Sequence, residues 1–401
     1  MKKTEPINKK KILDFVKRHE RSRTGQPLFV IDHQIIRDNY RRFRENFPRI
    51  QVYYAVKANS EPAILRTLYR LGSSFDVASI EEFDRVFHML EGLSEDEVKN
   101  FVYDQIILAN TNKDWHFLQH AEPYVPLMTF DNPDELDKIK EHCDCAGVVL
   151  RVKVPDKGSV VGMGTKFGVT PEEGIRLIKK AKDLGLVVEG LSFHVGSQCT
   201  DFSNYINALD MAHYIFKKAE KRGYVIGRRD NKHKILDIGG GFPTQYTPSV
   251  PRIEELASAI NPRIDELFPP DKYELAAEPG RCMVGNAAIL ILTIIGRSRR
   301  DLRFYHINDG LYNTLSGIPC DHCHYDFIPL RKKPKRGRIE DCKIAGQTCD
   351  SWDTVPYPVK LPGNLSIDDI LVVPNAGAYT TGSSSHFNGF PGARVVNVNQ
   401  D

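Results

Sequence analysis

Residues 51–89, QVYYAVKANSEPAILRTLYRLGSSFDVASIEEFDRVFHM, decide the fold. Gln51 to Val56 is an apolar run of strand length, and Ala63 to Leu71 carries its apolar residues at helical spacing. Ser74 to Ala78 reads as a second strand and Ile80 to Met89 as a second helix. Upstream, Pro27 to Ile31 reads as a short buried strand, and from Asp32 the residues Ile35, Ile36, Tyr40 and Phe43 recur with helical period. Downstream the strands are Gln105 to Ala109, Leu127 to Phe130, Val148 to Val152, Val187 to Phe193, Lys234 to Ile238 and Tyr273 to Ala277. Helices fall between them, most clearly over Pro171 to Leu184 and Asn204 to Arg222. Short apolar strands alternating with helices argue for parallel βα units. About eight such units fit a closed (β/α)8, TIM-like barrel of roughly 250 residues, with an open doubly wound sheet as the other architecture.

Past Arg281 the texture changes. Ile289 to Ile295, Phe304 to Ile307, Ile370 to Val373 and Ala393 to Val396 are β-rich and separated by Pro- and Gly-rich turns. That pattern predicts a second, mostly antiparallel β domain. The expected division is an α/β barrel over residues 34–283 and a β domain made of 1–33 with 284–401. The basic run Arg331 to Arg338 contains Pro334 and Gly337 and reads as an exposed loop rather than an import or polyanion signal.

The 401 residues carry 55 Lys and Arg against 52 Asp and Glu, a net charge of +3, which leaves no large nucleic-acid footprint. The longest apolar run, Ala287 to Ile295, is far short of the ~20 residues of a spanning helix. The charged start lacks a secretory core, so the expected compartment is the cytosol. Eight cysteines are too few for a disulfide scaffold, so reduced thiols are expected.

Several polar residues sit where strands end, the face that carries chemistry in such barrels. Lys57, in YAVKAN, follows an apolar strand. A lysine there either snorkels out or is engaged covalently, as in a Schiff base. KILDIGGGFP, 234–243, runs a strand into three glycines. They form either a tight turn or a nest of N–H groups for a phosphate. Glu278 and Arg281, in EPGR, could be an ion pair, or could hold a protonated ring nitrogen and a phosphate respectively. His194, in SFHVGS, is either structural or a flat ring for stacking. Cys349 and Asp350, in CDSWD, offer a proton donor beside a carboxylate suited to a cationic substrate. Cys320-x-x-Cys323 invites zinc, but no second ligand pair accompanies it and Cys143-x-Cys145 is spaced too tightly, so no metal is expected.

From Pro27 to Phe390 the ordered set resembles the alanine-racemase-like barrel decarboxylases that use pyridoxal 5'-phosphate, and most closely the ornithine decarboxylases. The resemblance implies that Lys57 joins the cofactor's aldehyde. Asp76 and Glu82, in FDVASIEE, match acidic residues near it. Arg151 and His194 flank the ring. Ser197, Gly239, Gly240, Gly241, Gly280, Arg281 and Tyr379 match the phosphate site, and Glu278 the carboxylate on the pyridine nitrogen. Lys166-Phe167-Gly168, after the Gly-rich 158–164, resembles the family's mobile loop. Cys349 and Asp350 match a pair contributed across a homodimer, Cys349 as proton donor and Asp350 with Asp321 as anchors for a distal amine.

The resemblance thus implies a cytosolic, homodimeric decarboxylase of a basic L-amino acid, with ornithine giving putrescine as the expected reaction in polyamine biosynthesis. Lysine or bifunctional activity is the nearest rival. An inactive regulator-binding homologue and a racemase on the same barrel are the others. Asp rather than Glu after Cys349 disfavours diaminopimelate. Gln347, Gln198 and Cys320 depart from the usual Pro, Gly and Tyr. The chain also stops short of the C-terminal degradation tail of the animal enzymes.

Overall fold

A computed structural model describes residues 25–162, 164–229, 233–330 and 337–400. They form two compact units, one of them His33–Gly285. The other joins the chain from Asn286 onward to the strand β1 (Leu28–Asp32).

Eight strands of the larger unit close into a parallel barrel. They are β2 (Ile50–Ala55), β3 (Ser74–Val77), β4 (Ile106–Leu108), β5 (Leu127–Phe130), β6 (Gly147–Val152), β7 (Val187–Phe193), β8 (Lys234–Asp237) and β9 (Tyr273–Ala277). Each pairs with its successor, and β9 returns to β2 with Ile50 opposite Leu275 and Val52 opposite Ala277. Helices Pro62–Arg70, Ile80–Phe87, Pro171–Asp183 and Ser203–Lys221 lie between strands as their periodicity predicts. The starts of Ile80–Phe87 and Pro171–Asp183, and of the further helices Trp115–Ala121 and Pro133–His142, are chemically fixed. Ser79, Asp114, Asn132 and Thr170 each accept a hydrogen bond from the backbone N–H three residues on, satisfying a donor the helix cannot.

Side chains fill the barrel. Tyr53, Ile107, Ala109, Leu127, Val149, Ile235 and Ala276 pack as one buried cluster. A packed interior leaves the loops beyond the strands' C-terminal ends as the place for a ligand.

The smaller unit is an eight-stranded sheet, ordered β12 (Ile328–Leu330), β15 (Ile370–Val373), β10 (Ala288–Arg299), β11 (Arg303–Ile307), β13 (Ile339–Ala345) and β14 (Val359–Pro362). β1 and β16 (Arg394–Val398) complete it. Pairings are antiparallel except β1 with β16 and β11 with β13. Leu28, Val30, Ile291, Leu330, Ile370 and Val372 form its core, so the apolar run at Pro27 to Ile31 belongs to this sheet. Of the basic run Arg331 to Arg338, residues 331–336 lie outside the described residues. No helix among the described residues is long and apolar enough to cross a membrane.

Candidate active site

Lys57 stands two residues past β2 in a short 3-10 turn, and its Nζ donates to Asp76 Oδ2 on the neighbouring strand β3 at 2.6 Å. Asp76 is 1% exposed and its other oxygen meets no hydrogen-bond donor. Glu82 caps the same corner by accepting from Ala78 N–H at 2.8 Å, and burial raises its carboxyl above the ordinary value.

On the other side of β2 from Asp76, Glu278 follows the neighbouring strand β9, and Asp237 ends β8 beside it. Both are buried, and their carboxyl groups hydrogen-bond to each other. That contact requires a proton on one of them. Burial, then repulsion by Asp237 and Asp76, pushes Glu278 well above the carboxylate range. Burial pushes Asp237 to about 6 against the lowering bond from Glu278. Asp237 also accepts from Gly239 N–H at 2.8 Å, and its Oδ2 meets no N–H or O–H donor. A buried acidic pair of this kind fits a protonated pyridine nitrogen, which would supply the missing cation.

His194 follows β7. Its Nδ1 accepts from Gly196 N–H at 3.0 Å, which places the proton of the neutral ring on Nε2. Burial, then Arg151 and Lys57, lowers its pKa well below the ordinary value, so the ring is uncharged at neutral pH. Arg151, next to last in β6, lies 5.0 Å from the centre of the Phe167 ring, and Lys166 lies 4.8 Å from the same ring. Phe167 therefore ties the 158–168 loop to the barrel mouth.

Arg281 opens the short helix Arg281–Val284, and its guanidinium donates to Ser197 Oγ at 2.9 and 3.3 Å. Beside them Gly239, Gly240 and Gly241 leave no room for a side chain. A Cβ on Gly239 would lie 1.9 Å from Phe193 O, and one on Gly240 2.7 Å from His194 Nε2. Arginine, serine hydroxyl and side-chain-free backbone together suit a phosphate. Gly280 instead abuts the lysine segment, where a Cβ would lie 2.8 Å from that of Ala58.

Gln198 occupies φ +55, a left-handed conformation that favours glycine, which accounts for the glycine common there. Its amide compensates by donating to Thr244 O at 2.7 Å and accepting from Thr244 N–H at 2.9 Å.

In the β unit, Cys349 and Asp350 lie in an exposed turn. Asp350 accepts from Tyr312 Oη at 2.5 Å and from Trp352 N–H at 2.9 Å, and these two bonds lower its pKa. Asn388 Oδ1 accepts from both the amide and the thiol of Cys349, at 3.2 and 3.4 Å. Asp321 ends the short helix Gly317–Asp321 and accepts from Cys323 Sγ at 3.3 Å. Tyr379 sits at φ +55, its carbonyl against Gly317. Asp237, Tyr312 and Asn388 carry no role in the sequence reading. Only Asp237 gives a local signal, as an acid closing an apolar strand just before the glycines.

A (β/α)8 barrel with a lysine, a buried acidic pair and an Arg–Ser–Gly cradle at its strand ends defines a pyridoxal-phosphate enzyme. Residues 33–285 match the model of the pyridoxal-dependent decarboxylases, pyridoxal binding domain. The chain is 37% identical over 371 residues to the lysine/ornithine decarboxylase of Selenomonas ruminantium, covering 92% of this chain and 88% of that one. It is 35% identical over 379 residues to antizyme inhibitor 2 of Xenopus laevis, covering 90% and 79%. The crystal structure of the Paramecium bursaria Chlorella virus arginine decarboxylase bound to agmatine superposes with a TM-score of 0.87 at 30% identity, covering 97% of this chain and all of that one. The chain belongs to the pyridoxal-dependent decarboxylases of basic amino acids, carbon–carbon lyases whose cofactor is pyridoxal phosphate.

Proposed function

We propose that the protein decarboxylates L-ornithine to putrescine and CO2, as a cytoplasmic homodimer with shared active sites, in polyamine biosynthesis. One observation carries the choice of a substrate with a distal ammonium: Asp350, next to Cys349, is held ionised and in one orientation by Tyr312 and Trp352 N–H. An ionised carboxylate in fixed geometry suits an ammonium and repels a distal carboxylate.

The remaining roles follow from the chemistry of each group. Lys57 supplies the amine that anchors the cofactor's aldehyde, with Asp76 holding that amine in place. Glu278, backed by Asp237, holds a proton on the pyridine nitrogen. Arg281, Ser197 and the backbone of Gly239 to Gly241 bind the phosphate, with Gly280 and Tyr379 assigned to the same site. The uncharged His194 ring covers one face of the cofactor and Arg151 flanks it. Pyridoxal phosphate, when bound, supplies an electron sink for the pair left at Cα as CO2 departs. Cys349 delivers a proton to Cα, and Asp350 with Asp321 orients the distal ammonium. The β unit thus carries substrate and dimer-interface residues, and the barrel carries the cofactor.

CO2 release from ornithine, lysine and arginine by cofactor-supplied protein tests the reading. Ornithine turned over with the highest kcat/KM supports it, and action on lysine or arginine alone overturns it. Borohydride trapping with peptide mapping places the cofactor on Lys57 independently. Lys57, Glu278, Arg281 and Cys349 all being present argues against an inactive, regulator-binding homologue.

A further inference from the structure

Away from the site, the turn Cys143–Ala146 joins the helix Pro133–His142 to β6 and is closed by Ala146 N–H on Cys143 O at 3.0 Å. It carries two thiols one residue apart. Cys143 is 1% exposed, Cys145 is half-buried, and neither is in a disulfide. The Cys145 thiol donates to Glu122 O at 3.1 Å, and the two thiols are near enough to shift each other's titration. The Arg229 guanidinium donates to the Cys145 carbonyl, which brings a positive charge to the same turn. Residues two apart in such a turn fall within the ~4.4–6.8 Å Cα spacing that a disulfide spans.

We propose that Cys143 and Cys145 form a reversible thiol–disulfide site whose oxidant is a small disulfide of the glutathione type. The accessible Cys145 attacks as thiolate on one sulfur of the small disulfide. An S–S bond forms on Cys145, the original S–S bond breaks, and one glutathione thiolate leaves and is protonated. Cys143 then gives up its proton and attacks Cys145 Sγ, expelling the second glutathione. Two protein thiols are oxidised and one small disulfide is reduced to two thiols.

The order of attack follows from the surroundings. Cys145 is the more exposed thiol, and the neighbouring Cys143 thiol lowers its pKa, with Arg229 assisting and burial, Glu122 and Asp144 opposing. Cys143 is buried, and the Cys145 thiol and burial raise its pKa, making it the second nucleophile. A turn is also the least disruptive place for such a bond, since it crosslinks no two elements. β6 begins at Gly147, just past the turn, while Arg151 lies at its other end.

The test uses cofactor-loaded protein in glutathione buffers of graded oxidised-to-reduced ratio, acid-quenched, alkylated and digested with trypsin. Both cysteines fall in the peptide Glu141–Arg151. The expected result is that peptide two hydrogens lighter, with neither thiol alkylated and no glutathione retained, reverting on reduction. Cys143→Ser is expected to trap glutathione on Cys145, and Cys145→Ser to leave position 143 as a free thiol. Because the central measurement is made on the unaltered chain, a variant that folds poorly does not decide it. Thiols that stay fully alkylated at every ratio, or a glutathione adduct that persists on Cys145 in the unaltered chain, would overturn the proposal.

Discussion

Tyr312 donates its hydroxyl to Asp350 Oδ2 at 2.5 Å while Trp352 N–H takes Oδ1 at 2.9 Å, so the carboxylate cannot turn without breaking a bond on one side. Tyr312 is itself braced by the rings of Phe387 at 4.4 Å and Trp352 at 5.1 Å. Removing the hydroxyl frees one carboxylate oxygen but leaves the rings in place. Both groups are open to solvent, which screens the bond, so its loss weakens substrate binding modestly. Tyr312→Phe is therefore expected to raise KM for the basic amino acid by roughly a few-fold with a smaller change in kcat. Steady-state kinetics checks it, and an unchanged KM would remove Asp350 from the substrate site.

Asp353 fixes the same turn from behind. Its carboxylate accepts from Leu311 N–H at 2.7 Å and from the Thr348 amide and hydroxyl at 3.2 and 2.8 Å. It is 2% exposed and lies against Gly310 and Gly346, where a Cβ would come within 2.3 and 2.1 Å of it. Asp353→Asn keeps the volume but turns an N–H2 toward those donors. Leaving buried donors unpaired costs about 1–3 kcal/mol, so a thermal midpoint several degrees lower is expected. Gly346→Ala should lower it further, because the carboxylate has nowhere to retreat.

The Asp237–Glu278 pair makes the cofactor-free protein pH-sensitive. Both groups have folded-state pKa values above their unfolded ones, Asp237 at about 6 against 3.8. Their contribution to stability is therefore fully present below pH ~4 and is lost as pH rises through 6 and beyond. Glu278→Gln cannot ionise and relieves the repulsion. The cofactor-free variant should thus be more stable than its parent at pH 8, with the gap closing at pH 5. Thermal midpoints of the two forms at both values measure this. A variant no more stable at pH 8 would show that the pair is already neutralised.

The sequence made the barrel legible because each βα unit is local: an apolar run, a capped start and a helical period within some thirty residues. The candidate residues were legible for the same reason, since Lys57, His194 and Glu278 each stand within two residues of a strand end. What stayed hidden depends on long-range pairing. Asp237 meets Glu278 because β8 and β9 are neighbours, and Asn388 meets Cys349 through a loop 39 residues away. The helix Glu95–Gln105 escaped notice because its apolar residues are few, although Ser94 and Glu97 form a reciprocal cap. The helix Ile253–Leu267 was masked by Pro262. The strands β13 and β14 are short on apolar residues, with Ile339 exposed, and only their partners make them strands.

Gly240 separates steric from conformational demands at the glycine run. Its φ is not in the left-handed region, so alanine fits its backbone, unlike Gly239 at φ +65 and Gly241 at φ +100. The obstacle at Gly240 is His194 Nε2, 2.7 Å from the added methyl, with Glu278 O at 2.9 Å. The imidazole is a side chain and can tilt, breaking the Gly196 N–H bond to Nδ1, but the Glu278 carbonyl is backbone and must give slightly, while the much closer carbonyl facing Gly239 cannot move without moving β7. Gly240→Ala is therefore expected to fold with a moderately lowered thermal midpoint and, with the roles proposed for the ring and the glycine backbone, to bind pyridoxal phosphate about tenfold or more weakly. Gly239→Ala should fail at the earlier stage and give little folded protein. Titration of the cofactor by its absorbance, with circular dichroism on the same samples, distinguishes the two. Equal cofactor affinity in Gly240→Ala and the parent would mean that neither the ring nor the glycine backbone touches the cofactor.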